Sequence, residues 1–134
     1  KALDVAKENA SEHKADLNFM KQDILKSDKL PEDTDVIISN PPYVKYDEKG
    51  RMRDNVLNYE PHVALFVKDN DALIFYRKIC ELAIKASQNV TIYFEINQYL
   101  ANDLKMMLKD FNIQTYEFRQ DFRGNDRMLK LLID

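Results

Sequence analysis

Apolar positions recur with two periods along the chain, and the changes between them mark out its elements. Ala2, Leu3, Val5, Ala6 and Ala10 fall at helical spacing, which predicts an opening helix over Lys1–Ala10. The segment from Ala15 to Met20 leads into a predicted short strand ending at Asp23. Leu30-Pro31-Glu32-Asp33 is turn material, and Asp35–Ser39 is a β-branched run of the kind buried in parallel sheets. Asn40-Pro41-Pro42-Tyr43 ends that strand abruptly. The polar stretch from Lys45 to Tyr59, with Lys49-Gly50-Arg51 at its centre, predicts an exposed mobile loop. Asp69-Asn70-Asp71 supplies N-cap candidates for a helix carrying Leu73, Tyr76, Cys80, Ala83 and Ile84 on one stripe. Val90–Ile96 is the strongest strand pattern. Leu100, Leu104, Met107, Leu108 and Phe111 form a further helical stripe. Ile113–Phe118 and Met128–Ile133 read as a final pair of strands, joined through Arg123-Gly124-Asn125-Asp126. The order predicts an open α/β sheet, entered partway and closed by an antiparallel hairpin, with residues 1–134 in one domain.

Composition narrows the chemistry. The 134 residues are 45% apolar, with 20 basic against 23 acidic side chains for a net charge of −3, which fits one soluble domain and weighs against a broad nucleic-acid footprint. Only Gly50 and Gly124 occur, so neither a dinucleotide-binding glycine loop nor a phosphate loop can be written. One cysteine, Cys80, excludes a disulfide framework and suits a reducing, cytoplasmic setting; His13 and His62 are too few and too separated to suggest a metal site. No apolar run is long enough for a bilayer span. Cys80, Met106, Met107 and Met128 read as core residues, and His62 as a loop or cap residue. The chain begins at Lys1 rather than Met, inside a helical pattern, and is expected to be a piece of something longer.

The distinctive chemistry lies in Asn40-Pro41-Pro42-Tyr43, at the carboxyl end of a predicted parallel strand, where open α/β sheets place their ligands. Two prolines remove two backbone donors and fix φ, so the Asn40 and Pro41 carbonyls stand as acceptors with no local N–H competing for them. The Asn40 side chain adds a further acceptor, and Tyr43 an aromatic face. Such a set can take both hydrogens of a planar NH₂. An amide or exocyclic amine attacks poorly because its lone pair is delocalised. Two hydrogen bonds that favour pyramidalisation return density to nitrogen and aim it at an electrophile such as a methyl sulfonium. A simple strand stop is the plainer alternative.

The run Ile38-Ser39-Asn40-Pro41-Pro42-Tyr43-Val44 resembles the signature of S-adenosylmethionine-dependent amino-methyltransferases. Three further stretches resemble the HemK/PrmC family, which methylates the glutamine of the Gly-Gly-Gln motif in peptide-chain release factors. They are Tyr59-Glu60-Pro61-His62-Val63-Ala64-Leu65-Phe66, Phe94-Glu95-Ile96, and Asp121-Phe122-Arg123-Gly124-Asn125-Asp126-Arg127. The resemblance implies a Rossmann-like class I methyltransferase sheet. It makes Asn40, Pro41, Pro42 and Tyr43 the catalytic loop, with Asn40, Pro41 and Tyr43 against the substrate amide and Glu60 and Pro61 shaping the substrate side. It places Asp23, Ile24 and Asn40 beside S-adenosylmethionine, and release factors become the expected partners, with no metal and no nucleic-acid substrate. Arg127 is expected to do no more than pair with an acid.

The family's Gly-rich loop and first two strands are missing from this sequence. In the family the strands lie in the order third, second, first, fourth, fifth, seventh, sixth, so the strand at Asp35–Ser39 is expected to have an open edge. The chain is therefore expected to dimerise or swap elements through that edge, or to fold around a four-strand remnant, and to be inactive alone. The alternatives are methylation of an exocyclic amino group of adenine or guanine in RNA or DNA, and a non-catalytic α/β interaction module.

Overall fold

The chain runs through helix α1 (Ala2–Glu12), strands β1 (Val36–Ser39), β2 (Val44–Lys45) and β3 (Phe66–Val67), helix α2 (Ile74–Ala86), strand β4 (Val90–Glu95), helix α3 (Ala101–Asp110) and a hairpin of β5 (Tyr116–Gln120) and β6 (Asp126–Ile133). The computed structural model describes residues 2–45, 50, 61–67, 71–86 and 89–134. Four strands form one sheet in the order β1-β4-β6-β5. β1 pairs parallel to β4, β6 antiparallel to β4, and β5 antiparallel to β6. This order matches the fourth, fifth, seventh and sixth strands of the order expected above.

β4 is paired along both edges, and its alternation is strict. Val90, Ile92 and Phe94 are buried on one face, opposite Leu129, Leu131 and Ile133 of β6 in register. Helices α2 and α3 cover that face with Tyr76, Ile79, Cys80 and Ala83 from one, and Leu104, Met107 and Leu108 from the other. Truncating a fully buried residue such as Ile92 or Leu104 to Ala would cost about 2–5 kcal/mol. The Tyr76 ring packs edge-on against Phe94, with centroids 5.0 Å apart. Both α1 and α3 end on a left-handed residue, Lys14 (φ 52) and Asn112 (φ 55). In each case the next amide reaches back to the helix, Ala15 to Ala10 and Ile113 to Leu108, at 2.9 Å.

The opposite face of the sheet is open. Tyr93, Met128, Val36 and Ile38 are exposed there or along the β1 edge, Ile38 to 82%. Met128 is thus not a core residue, because among the described residues no helix or strand covers its side of β6. Met106 is exposed as well, one position out of phase with the buried Met107, and Ile84 lies at the outer margin of the α2 stripe.

The predicted strand ending at Asp23 does not form. Residues 15–23 belong to no sheet, and a 3-10 turn over Ile24–Lys26 follows them. A strand needs a neighbour for its backbone groups, and among the described residues this segment pairs with no strand. The stripe of α1 finds little cover either: Ala10 is buried, whereas Val5 is exposed. Of the predicted loop over 45–59, residues 46–49 and 51–59 lie outside the described residues, and Gly50 is exposed. Asp69 and Asn70 are likewise outside them. Asp71 accepts from the Ile74 amide at 3.4 Å through its carbonyl, and from Arg77 through its carboxylate.

Candidate active site at the end of the parallel strands

β1 and β4 end side by side, Ser39 in register with Phe94, so the residues that follow each strand meet. Asn40 donates from Nδ2 to Glu95 Oε2 at 3.2 Å, and the Tyr43 hydroxyl donates to Glu95 Oε1 at 3.1 Å. One carboxylate therefore holds two side chains of the Asn-Pro-Pro-Tyr loop. An amide is planar, so fixing Nδ2 on Glu95 leaves Oδ1 on the far side of the group as an acceptor of set direction. The Glu95 carbonyl accepts from the buried Tyr76 hydroxyl at 3.0 Å, which ties the end of β4 to α2.

Burial pushes the Tyr43 phenol above its ordinary value, and the Glu95 charge and hydrogen bond push in the same direction against a smaller opposing effect of Arg127. Tyr43 is therefore a neutral donor at physiological pH. Burial likewise raises the Tyr76 phenol. Arg127 holds its Nε 3.8 Å from Asp121 Oδ2 and reaches the Ile96 carbonyl with Nη1 at 3.5 Å, so it does pair with an acid, at the rim of the same site. Asn40, Glu95, Asp121, Arg127 and Ile38 line a cleft of about 640 Å³ that opens on the uncovered sheet face.

A second, apolar cleft of about 330 Å³ shares Ile38 and Ser39 with the first and is lined by Ile24, Pro41, Pro42 and Phe75. Ile24 thus faces the prolines across a gap. Asp23, one residue earlier, is exposed; its carboxylate accepts from the Leu25 amide at 3.1 Å and lies 3.6 Å from Lys26 Nζ, so it caps the 3-10 turn. Ser27 braces that turn by donating to the Asp23 carbonyl at 3.0 Å while accepting from Gln22. For a cofactor carrying a flat ring, Ile24, Pro41 and Pro42 fit as an apolar wall. The chain has no glycine cradle for the rest of it.

Pro61 is exposed and stands at the start of a 3-10 turn over His62–Ala64, whose Ala64 amide returns to the Pro61 carbonyl at 2.8 Å. His62 belongs to that turn and touches the Phe66 ring edge-on at 5.4 Å. Glu60 lies outside the described residues. β2 and β3 pair parallel, with the Val44 amide on the Leu65 carbonyl at 3.0 Å, so the segment after Pro61 is laid beside the segment after Tyr43. Reasoning from the sequence alone did not find this contact, since two residues per strand carry no period. It also left Glu95 outside the site, although Phe94-Glu95-Ile96 was singled out: a carboxylate ending a buried strand was the available signal.

Residues 1–59 match the family model described as the methyltransferase small domain. Over 132 residues the chain is 48% identical to a release factor glutamine methyltransferase of Flavobacterium psychrophilum, covering 98% of this chain and 46% of that protein. It is 40% identical to the release factor glutamine methyltransferase of Bacteroides thetaiotaomicron, over 96% of this chain and 47% of the relative. It is 36% identical to that of Lactococcus lactis, over 97% and 48%. Along nearly its whole length, the chain is similar in sequence to release factor glutamine methyltransferases. It spans about half the length of these relatives. The matched region runs through the Asn-Pro-Pro-Tyr loop, β4 and the β5–β6 hairpin, which line the cleft described above. No helix among the described residues is long and apolar enough to cross a membrane.

Proposed function

We propose that the chain is the C-terminal portion of a single methyltransferase catalytic domain, and that it supplies the substrate-amide side of a cytoplasmic enzyme methylating the Gly-Gly-Gln glutamine of peptide-chain release factors. The observation that carries this reading is the double hydrogen bond to Glu95, which fixes Asn40 and Tyr43 relative to each other. Asn40 Oδ1 and the Pro41 carbonyl accept the two hydrogens of the glutamine amide, drawing its nitrogen out of conjugation, and the Tyr43 ring walls the pocket. Pro42 keeps the loop rigid. Bound S-adenosylmethionine supplies the electrophilic methyl group. On that side Ile24, Pro41 and Pro42 pack against its flat ring, Asn40 and Asp23 offer acceptors, and the remaining contacts come from outside this chain. Glu60 and Pro61 shape the approach of the substrate.

An exocyclic amine of adenine or guanine suits the same acceptors and is the second reading. Methyl transfer from labelled S-adenosylmethionine by the full-length protein, offered a release factor, its Gln→Ala variant in Gly-Gly-Gln, RNA and DNA, separates them. Label on the intact factor alone is expected; label on nucleic acid alone would overturn the proposal. If Asn40→Ala leaves turnover unchanged at equal stability, the loop is a strand stop and the amide is held elsewhere; a full-length protein that labels none of these substrates is a binding module.

A further inference from the structure

The β5–β6 hairpin turns at the same end of the sheet as Asn40, because β6 runs antiparallel to β4 and Met128 lies opposite Glu95. Its tip is rigid. Asp121 accepts from the Arg123 amide at 2.8 Å, the Asn125 amide at 3.0 Å and Asn125 Nδ2 at 3.4 Å, and Gly124 takes a φ of 80° that favours glycine. On this braced turn Phe122 is 94% exposed, with the Arg123 guanidinium 5.5 Å from its ring centroid. Its neighbour Asp121 lines the 640 Å³ cleft.

We propose that Phe122 is an anchor for the protein substrate, inserting into an apolar recess on the surface around the methylated glutamine. This rests on the reading that the substrate is a folded protein. A specific protein contact covers roughly 800 Å² on each partner, so a protein whose side chain enters the cleft must also cover the adjoining hairpin tip. A pre-ordered aromatic projecting from a rigid turn loses little entropy on docking, and such residues dominate contact energies. The rim does not favour a phosphate backbone. Arg119 is paired with Glu117 at 2.8 Å, Arg127 with Asp121, and Arg123 lies over the Phe122 ring.

The test compares the full-length protein with its Phe122→Ala and Phe122→Tyr variants on an intact release factor, on a short Gly-Gly-Gln peptide and on RNA. Phe122→Ala is expected to raise KM for the intact factor by about tenfold with kcat little changed. It should leave the peptide and the melting temperature unaffected, and Phe122→Tyr should restore KM. An unchanged KM for the factor overturns the inference. So do equal shifts for peptide and factor, and so does a lowered melting temperature, which would mean that Phe122 is covered within its own protein. An effect confined to RNA reassigns the ring to base stacking and overturns it too. A wild-type protein that leaves the factor unlabelled sinks the glutamine reading along with this one, whereas a labelled factor indifferent to Phe122 sinks the anchor alone.

Discussion

Asn40 and Glu95, 55 residues apart in the chain, are joined by a 3.2 Å hydrogen bond in which the asparagine amide donates to the carboxylate. The direction of that bond decides how Asn40 is oriented: with one Nδ2 hydrogen on Glu95, Oδ1 is held as an acceptor of fixed direction. In the full-length protein Glu95→Ala is expected to lower kcat for methyl transfer about 10–100-fold, with KM for the protein substrate little changed. Glu95→Gln should fall between, because an amide keeps one acceptor oxygen for Asn40 or Tyr43 but not both. Steady-state kinetics would decide, and a Glu95→Ala variant with wild-type kcat would rule out the positioning role.

Tyr76 is fully buried and hands its hydroxyl hydrogen to the Glu95 carbonyl at 3.0 Å. Tyr76→Phe keeps the ring against Phe94 and deletes only that bond, at an expected cost of about 1–2 kcal/mol in urea unfolding. A variant as stable as the wild type would mean that water replaces the hydroxyl.

Cys80 is buried, and burial pushes its thiol up to about 12. The unfolded thiol ionises near 9, so this group's contribution is complete below that pH and is lost as pH rises toward the folded value. Thiol reagents should therefore label Cys80 only after denaturation. Wild-type stability should also fall more steeply than that of Cys80→Ala between pH 9 and 11. Rapid labelling of the native chain would contradict the burial.

The Asp121 carboxyl is held below its ordinary range, chiefly by the Asn125 amide, with the Arg123 amide and the Arg127 charge assisting. A depressed carboxyl stabilises the fold above its unfolded value, near 3.8, and that contribution is lost as pH falls through the folded value. Amide exchange at Arg123 and Asn125 should accelerate in Asp121→Ala and, in the wild type, on acidification toward pH 2. Equal protection in variant and wild type would show that the turn is held by Gly124 and the strands alone.

The open edge of β1, with Ile38 82% exposed, is expected to make the 134-residue chain self-associate as its concentration rises. Ile38→Lys should suppress this with little change in stability, since the side chain is already in solvent. Sedimentation showing a wild-type monomer at high concentration would refute the expectation.

How much of this was legible in the sequence follows from the reach of each signal. The alternation of Val90–Glu95 and the stripe of α3 are local, and both elements formed as expected. The Asn-Pro-Pro-Tyr loop was legible because proline chemistry acts on its own residue and the one before it. The strand before Asp23 failed because an apolar run says nothing of whether an edge lies beside it. Met128 failed for a related reason: alternation identifies two faces but not which of them is covered. Glu95 as a tether required knowing where its side chain meets those of Asn40 and Tyr43 across two strand ends, which the expected strand order does not give.

That topology also sets an order of assembly. The β5–β6 hairpin closes over a short turn, with Gln120 and Asp126 only six residues apart where their side chains meet, whereas β1 must find β4 across a separation of about nine times that length. Closing the longer loop costs more chain entropy before any contact compensates it, so hairpin and helices form early and β1 docks late. The loop that would grip the amide is thus expected to acquire its shape after the hairpin has closed.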